Sequence, residues 1–277
     1  MIFPMDSLFP RIDKIRVCGH YTTIRNPIFI KYLRLCVIKH LLINEVSESQ
    51  FNELIRSLFQ IQNMHTYIKT LQEISGRYAP SRILSFDIAH VFKALQLINT
   101  RGHISRDLLC RELNLGEGSI KTLVKHLMME NMIETSNAGT KMSDKGKKFF
   151  AELHSSIPAE CKIPKCSIAL GEFNYAILLK KLGSAINIGI EQRDAAIKVG
   201  GIGATTLLFR KGKFMMPTAN IDSLRKEPQI HRLLIEELNP KDGDVVIIAS
   251  SEKDRRIAEL SAKSAALFTV MNHKNHN

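Results

Sequence analysis

Hydrophobic residues recur at helical spacing in three successive segments of the chain between residues 86 and 130. The first segment is stopped by Gly102, and Ser105 is a natural N-cap for the second. The third segment, 119–130, follows a turn at 115–118. Its apolar residues fall at i, i+3, i+4 and i+7, which predicts a buried stripe of Ile120, Leu123, Val124 and Leu127. The opposite face of this helix carries Gly118, Lys121, Thr122 and Lys125.

The residues after the third helix predict a β-hairpin and a fourth helix. Residues 132–135 and 140–142 are the predicted strands, with the turn at 137–139 between them. Ser143 then caps a helix over 144–154. The order helix, helix, helix, hairpin, helix is that of a winged helix-turn-helix. The segments Leu113–Leu127 (LNLGEGSIKTLVKHL) and Gly139–Gly146 (GTKMSDKG) resemble the recognition-helix and wing segments of that family.

The C-terminal part of the chain mixes short strands with helices. Ser155, Ser156, Pro158 and Pro164 indicate a linker before it. The predicted strands are 166–170, 175–179, 205–209, 214–216 and the continuous apolar run 244–249, and the predicted helices are 191–199, 230–238 and 253–270. We therefore expect an α+β fold in which the winged helix is followed by an α/β-layered domain.

The second region contains the motifs EQRDAAIK from Glu191, GATTL from Gly203, Met216-Pro217 and GDVVII from Gly243. Together these motifs resemble those of an uncharacterised archaeal family. In that family a winged helix precedes a C-terminal domain of unknown function. The resemblance covers about residues 66–270 and implies the architecture and a regulator-like role, with no established chemistry.

Residues 1–80 form a weakly patterned N-terminal extension. A capping-box sequence at 47–50 precedes a predicted amphipathic helix over about 48–62. Packing against the next domain is favoured over dimerisation or membrane binding for that helix. Met64 is an alternative start of the chain. The predicted domains are thus 1–80, 81–156 for DNA binding, and 165–270 for ligand sensing or dimerisation.

Composition limits the classes of protein that fit. Hydrophobic residues make up 44% and charged residues 24% of 277 residues, as in a folded globular protein. The net charge of +12 favours a polyanionic partner, but the excess is nearly uniform along the chain, so local pattern has to identify the partner. Charged residues interrupt the apolar stretch 28–46, and residues 1–18 lack the order of a signal peptide. We expect no membrane partner and a cytoplasmic location.

Five cysteines at irregular spacing argue against a disulfide framework. The C-x2-C spacing of structural zinc sites is absent, because Cys161 and Cys166 are separated by four residues. We expect no metal site and no cofactor.

Double-stranded DNA is the partner that the first region predicts. A recognition helix presents donors to the major groove, and nearby cations contact phosphates. The candidate DNA-binding residues are Ser119, Lys121, Thr122 and Lys125 on the third helix, and Lys141, Lys145, Lys147 and Lys148 in and after the wing. The alternative is a solvated lysine face used for protein contacts.

A small anionic effector is the ligand predicted for the second region. Arg193 offers a planar fork for a carboxylate or phosphate, and the glycines at 200, 201 and 203 allow backbone amides to approach an anion. The candidate ligand-binding residues are Gln192, Arg193, Asp194, Gly201, Gly203, Thr205 and Thr206. A helix C-cap with a structural Arg193–Asp194 pair is the alternative, and a homodimer is a further expectation.

No catalytic residue is assigned, since neither G-x-S-x-G, nor H-E-x-x-H, nor a phosphate-binding loop occurs. The leading hypothesis is a DNA-binding transcriptional regulator. The alternative is an enzyme that acts on a small anionic metabolite, with the winged helix as an accessory module.

Overall fold

The computed structural model describes residues 14–17, 20–23, 67–76, 84–169, 171–219 and 221–272. The chain divides into two compact units, residues 1–59 and 60–277. In the first unit, β1 (Lys14–Val17) and β2 (His20–Thr23) pair antiparallel, with Lys14 opposite Thr23. The predicted helix 48–62, the apolar stretch 28–46 and Met64 lie outside the described residues. No helix in the described ranges is long and apolar enough to cross a membrane.

Three helices precede the hairpin in the second unit, after a helical stretch α1 that includes 67–75. They are α2 (Ile88–Arg101), α3 (Arg106–Leu113) and α4 (Glu117–Met129). The predicted C-terminal cap of α2 and the predicted N-terminal cap of α3 are both confirmed. Gly102 is the C-cap of α2, and the Ser105 hydroxyl, at the N-cap of α3, accepts from the amide of Leu108 at 3.2 Å. Asp87 and His90 form a capping box at the start of α2.

The turn between α3 and α4 differs from the predicted one by two residues. Asn114 takes a left-handed conformation with φ of 55° and ends α3. Gly116 is the N-cap of α4, so that helix begins at Glu117, two residues before the predicted start, and includes Gly118.

The predicted hairpin and the helix after it are confirmed as β3 (Ile133–Ser136), β4 (Gly139–Met142) and α5 (Asp144–Ser156). Ser143 caps α5, and its hydroxyl accepts from the Gly146 amide at 2.9 Å. Two glycines in this region are required by close backbone approach. Gly139 has φ of 119° beside the carbonyl of Ile104, and a Cβ on Gly146 would lie 2.0 Å from the Met132 carbonyl oxygen.

A five-stranded antiparallel sheet forms the centre of the C-terminal part. Its strands, in the order β5-β6-β9-β7-β8, are β5 (Glu160–Ile163), β6 (Phe173–Leu179), β9 (Val245–Ser251), β7 (Gly203–Arg210) and β8 (Lys213–Met215). In the central strand β9, Ile247 lies between Ile177 of β6 and Thr206 of β7. Because β9 is the central strand and is buried on both faces, its sequence is one continuous apolar run.

Helices cover both faces of this sheet. The helices α6 (Ile190–Lys198) and α8 (Arg255–Asn272) pack on one face, and α7 (Pro228–Leu238) packs on the other. Along β9, Val245, Ile247 and Ala249 therefore join one hydrophobic cluster, while Val246 and Ile248 join the other. The described residues form an α+β fold.

Two predicted features of the C-terminal part are wrong. The linker does not exist as such, because Ser155 and Ser156 lie in the last turn of α5 and residues 160–163 form the edge strand β5. The predicted strand 166–170 is a turn in its described residues, closed by a single bridge between Cys166 and Ala169. The first error arises because β5 forms only by pairing with β6, and the second because a short apolar run without a strand partner folds as a local turn.

One hydrophobic cluster extends from the helices before the hairpin to the sheet. It contains Phe92 and Leu95 of α2, Leu127 of α4, and Ala262 and Leu267 of α8. The helical N-terminal part of this unit therefore shares a core with the layer that covers the sheet.

Candidate nucleic-acid interface and ligand region

Helix α4 has two sharply different faces. The predicted stripe Ile120, Leu123, Val124 and Leu127 is buried, with exposures from 0% to 3%. Lys121 and Lys125 on the opposite face are exposed, and Ser119 and Thr122 are half-buried. The Thr122 hydroxyl donates to the Gly118 carbonyl at 3.0 Å, which leaves its oxygen lone pairs as acceptors.

Three of the predicted DNA-binding lysines are already paired with carboxylates. Lys121 lies 2.9 Å from Glu117, Lys141 lies 3.1 Å from Glu134, and Lys147 lies 3.3 Å from Asp144. Lys121 lowers the pKa of Glu117 through its hydrogen bond and its charge. Exposed pairs of this kind contribute little to stability and exchange readily for other partners.

The other three candidate lysines differ from one another. The Lys145 ammonium donates to the carbonyl of Glu130 at the end of α4, at 2.7 Å. Lys125 and Lys148 are exposed and have no ion pair within the ranges that the structure describes. Lys125 is therefore a cation on the exposed face of α4 that forms no ion pair within the described part of the chain.

The structure does not bring all eight predicted DNA-binding residues onto one surface. Thr135 of β3 contacts the exposed side of α4, with its hydroxyl 3.6 Å from the sulfur of Met128. Glu134 and its cross-strand partner Lys141 point to the other face of the hairpin, because successive residues of a strand alternate. There they line a groove with Lys147, Asp144 and His103.

The acidic partners of these lysines are not among the predicted site residues. Glu134 lies opposite Lys141 in the register of the hairpin, and Glu117 precedes Lys121 by four residues on α4. Both relationships follow from the predicted elements, since cross-strand and i,i+4 neighbours attract when their charges are opposite.

The predicted ligand-binding residues lie on different sides of α6 and β7. Gln192 is buried and donates to the Thr269 hydroxyl of α8 at 3.1 Å. Thr205 and Thr206 point to opposite faces of the sheet, and the Thr205 hydroxyl donates to the Ile168 carbonyl at 2.7 Å. The Thr206 hydroxyl and the Gln192 side-chain oxygen are both buried and have no hydrogen-bond partner among the residues that the structure describes.

Arg193 and Asp194 form an exposed pair on α6. The Nε and Nη2 atoms of Arg193 lie 3.1 and 3.0 Å from the same carboxylate oxygen of Asp194. The guanidinium fork is thus engaged by its neighbour, while about half of each side chain remains exposed.

The backbone amides after α6 end the helix rather than face an open site. The Gly200 amide donates to Ile197 and the Gly201 amide to Ala196, which is the Schellman pattern. A Cβ on Gly201 would lie 2.5 Å from the Ser261 hydroxyl oxygen. Gly200 and Gly201 therefore serve the helix end and its packing on α8.

The described ranges contain neither a cluster of metal-ligating side chains nor a disulfide. No group of three or more His, Cys, Asp or Glu side chains there could hold a metal ion. Cys110, Cys161 and Cys166 are free thiols. Burial, followed by the charges of Glu237 and Glu160, raises the pKa of the Cys161 thiol to about 12.

Two family models match the chain. Residues 89–148 match a domain described as PH0730-like, N-terminal domain, and residues 170–270 match the domain of unknown function DUF4443. The matches fit an uncharacterised archaeal family. No curated protein matches the chain.

A solved structure is similar to the chain in fold. It is a hypothetical protein, PH0730, from the archaeon Pyrococcus horikoshii OT3, with 24% sequence identity and a TM-score of 0.54. The similarity covers 66% of this chain and 91% of the other. At this identity the likeness concerns the fold alone.

Proposed function

We propose that residues 81–156 are a winged helix-turn-helix that binds double-stranded DNA, and that the protein regulates transcription. The observation that carries this proposal is the division of α4, whose apolar stripe is buried while Lys121, Thr122 and Lys125 lie on the opposite side. A helix held rigidly by its inner face, with donors on its outer face, meets the requirement for entering a major groove.

The order of elements supports the same proposal. Helix α3 and helix α4 are joined by a three-residue connection that contains Asn114 and Gly116, and a hairpin with exposed polar residues follows α4. In this arrangement α4 is the recognition helix and the hairpin is the wing. Base-edge contacts from α4 supply specificity, and lysines contact phosphates.

The C-terminal α+β part senses an effector or dimerises in this proposal. Its helix α8 shares a hydrophobic cluster with α2, and the two helices are also joined by the ion pair between Lys93 and Glu259. A ligand or a second subunit that shifts α8 would therefore act on the packing of the first helix of the DNA-binding part. That coupling is how a regulator changes its affinity for an operator.

Binding of the full chain to duplex DNA tests the proposal. Selection from a random duplex pool, followed by fluorescence anisotropy on the enriched sequence, identifies an operator and its affinity. Lys121→Gln with Lys125→Gln should then weaken binding by about 10-fold or more, because each base contact is worth about 1–3 kcal/mol. The matched control is Lys162→Gln with Lys198→Gln, which removes the same charge from exposed positions of β5 and α6.

Two results would overturn the proposal. One is the absence of any enriched sequence and of any salt-dependent duplex binding by the wild-type chain. The other is an equal loss of affinity in the α4 variant and in its control, because this would mean that only total charge matters.

A further inference from the structure

Six cations gather at one end of the five-stranded sheet, far along the chain from the helix-turn-helix. We call this surface the sheet-end platform. It consists of Lys180 and Lys181 after β6, Arg210, Lys211 and Lys213 around the β7–β8 turn, and Lys241 before β9. The antiparallel pairings place the end of β6, the end of β7 and the start of β9 side by side, so three separate loops contribute.

Two aspartates hold these loops together. The buried carboxylate of Asp244 accepts from the Lys180 ammonium at 2.9 Å and from the amides of Lys181 and Lys241 at 2.9 and 2.8 Å. Asp242 accepts from the Lys211 amide at 2.9 Å. The loops are therefore fixed by internal bonds.

The charged residues of the β7–β8 turn destabilise it in two ways. Arg210 and Lys213 are direct cross-strand partners, and like charges in that position repel. Lys211 between them has φ of 49°, a conformation that long side chains rarely adopt. Arg210, Lys211 and Lys213 are all exposed and have no ion pair among the described side chains. Three cations without ion pairs therefore lie side by side at this turn, and an external anion would relieve their mutual repulsion.

An extended anion fits the platform better than a small one. Neighbouring strands lie about 4.8 Å apart, so cations from β6 across to β8 spread over roughly 15 Å. The amides of Lys181, Lys211, Lys241 and Gly243 already donate within the loops, and a small anion would need such donors to converge on it. A phosphodiester backbone instead offers a charge every 3.4 Å along each strand.

The surroundings of the platform favour nucleic acid over a membrane. Among the described residues, none of the large hydrophobic side chains that are exposed belongs to the three loops. A membrane-binding surface combines its cations with apolar side chains that enter the lipid.

The platform is also tied to the proposed DNA-binding part. The Lys180 amide donates to the carbonyl of Ser156, the last residue of α5, at 3.0 Å. The other end of α5 carries Lys145, Lys147 and Lys148, and its 13 residues span about 20 Å. Two basic surfaces thus lie at the two ends of one helix.

We propose that the sheet-end platform is a second, sequence-independent nucleic-acid surface that contacts phosphates outside the sequence read by α4. The proposal rests on the proposed DNA-binding function. Its electrostatic signature is a steeper dependence of duplex binding on salt, by about one unit of slope per phosphate contact.

The test compares two triple variants of the full chain on duplex DNA. The platform variant is Arg210→Gln, Lys211→Asn and Lys213→Gln, in which Asn suits the left-handed position. The control is Lys162→Gln, Lys165→Gln and Lys198→Gln, which removes the same charge elsewhere in the C-terminal part. Lys180 is left intact because its ammonium bonds the buried Asp244.

We expect the platform variant to lower the salt slope by about two to three units and to weaken all duplexes alike, so that the preference for the selected sequence over random duplex is unchanged. The control should shift the slope by less than one unit. Thermal melting of both variants confirms that they fold.

Three outcomes overturn the proposal. If the α4 variant loses duplex binding while the platform variant binds with wild-type slope, the proposed function stands and the platform has no part in it. If wild-type protein binds no duplex, both fail. Binding to phosphatidylserine vesicles that the platform variant loses, with duplex binding unaffected, would assign the surface to a membrane.

Discussion

The Lys93 ammonium on α2 lies 2.8 Å from the Glu259 carboxylate on α8, and only 2% of the lysine side chain is exposed. Glu259 also lies 3.2 Å from Lys263, which is completely buried and is bonded to Glu160 of β5. Two lysines and two glutamates thus form a neutral cluster between the helical part and the sheet. Gln96 and Tyr175 donate to Glu160 at 2.8 and 3.0 Å and complete it.

This cluster fixes the position of α2 relative to α8 in addition to contributing to stability. Desolvation offsets much of the attraction within a buried ion pair, but removing one partner leaves the other buried and uncompensated. A sliding movement of α2 along α8 would break the Lys93–Glu259 pair. The cluster therefore opposes other arrangements of the two helices.

Replacing Lys93 by Met keeps most of the buried volume and removes one ammonium group from Glu259. We expect the free energy of unfolding to fall by about 3 kcal/mol, the usual loss when one partner of a buried pair is removed. Denaturant unfolding of the full chain at neutral pH measures the change. Lys69→Met at an exposed position of α1 is the control, and equal stability of the two variants would contradict the prediction.

The same pair predicts a pH dependence of stability. Burial alone would raise the pKa of Glu259 above its ordinary value of 4.5, but the charges of Lys263 and Lys93 outweigh burial and hold the pKa below it. A depressed carboxyl pKa contributes stability above the ordinary value, and this contribution is lost as pH falls through the lower value in the folded protein. The difference in unfolding free energy between wild type and Lys93→Met should therefore shrink between about pH 5 and about pH 3. A constant difference over that range would mean that Glu259 is not the group involved.

Local sequence pattern was sufficient for elements with strong periodicity and for their caps. The apolar run that became β9, the stripe of α4 and the caps Ser105 and Ser143 follow from rules that act within a few residues. The edge strand β5 is different. Its four residues lie between Pro158 and Pro164 and become a strand only because β6 pairs with them.

The partners of the charged residues also depend on tertiary structure, as the strand β5 does. Lys263 stands in an alanine-rich stretch of α8, and nothing local indicates that its partner is Glu160, 103 residues away. The platform cations come from loops that are adjacent only because β6, β9 and β7 are. Sequence alone therefore predicted the buried and exposed faces of α4 but neither the buried cluster nor the cations at the sheet end.

Gly146 and Gly118 offer a matched test of backbone packing around the hairpin. A Cβ at Gly146 would meet the Met132 carbonyl oxygen, whereas a Cβ at Gly118 would have nothing within 4 Å. Gly146→Ala should lower the unfolding free energy by about 2 kcal/mol through overpacking, and Gly118→Ala should raise it by about 0.5 kcal/mol through helix propensity. Denaturant unfolding distinguishes them. An unchanged or higher unfolding free energy for Gly146→Ala would mean that α5 can move away from Met132.

Arg193→Lys separates the effector hypothesis from a structural role for that residue. The Arg193–Asp194 pair is about half exposed, so its loss should change the unfolding free energy by less than about 1 kcal/mol. A carboxylate or phosphate held by the guanidinium fork should raise the melting temperature of wild type more than that of the variant. A thermal-shift panel of phosphate- and carboxylate-bearing metabolites measures this. A variant with clearly lower stability, together with no stabilising anion for wild type, would leave dimerisation as the proposed role of the domain.

Neutralising Glu134 tests whether the outer face of the hairpin meets DNA. Glu134 holds Lys141 at 3.1 Å and lies on the side of the hairpin away from Met128 of α4. If Lys141 contacts phosphates, Glu134→Gln should free its ammonium and remove a repelling charge. We expect duplex affinity at low salt to rise about five-fold, equivalent to about 1 kcal/mol for one charge at contact distance in water.

The control for that variant is Glu172→Gln. Glu172 lies 3.2 Å from Lys165 in an exposed pair of the same kind, but in the C-terminal part. Both substitutions change the net charge by one, so a general electrostatic effect raises the affinity of both equally. A gain confined to Glu134→Gln, with a steeper salt slope, assigns Lys141 to the DNA surface. Equal gains would restrict the proposed interface to α4 and the hairpin side near Thr135, because Lys141 would then contribute only its long-range charge.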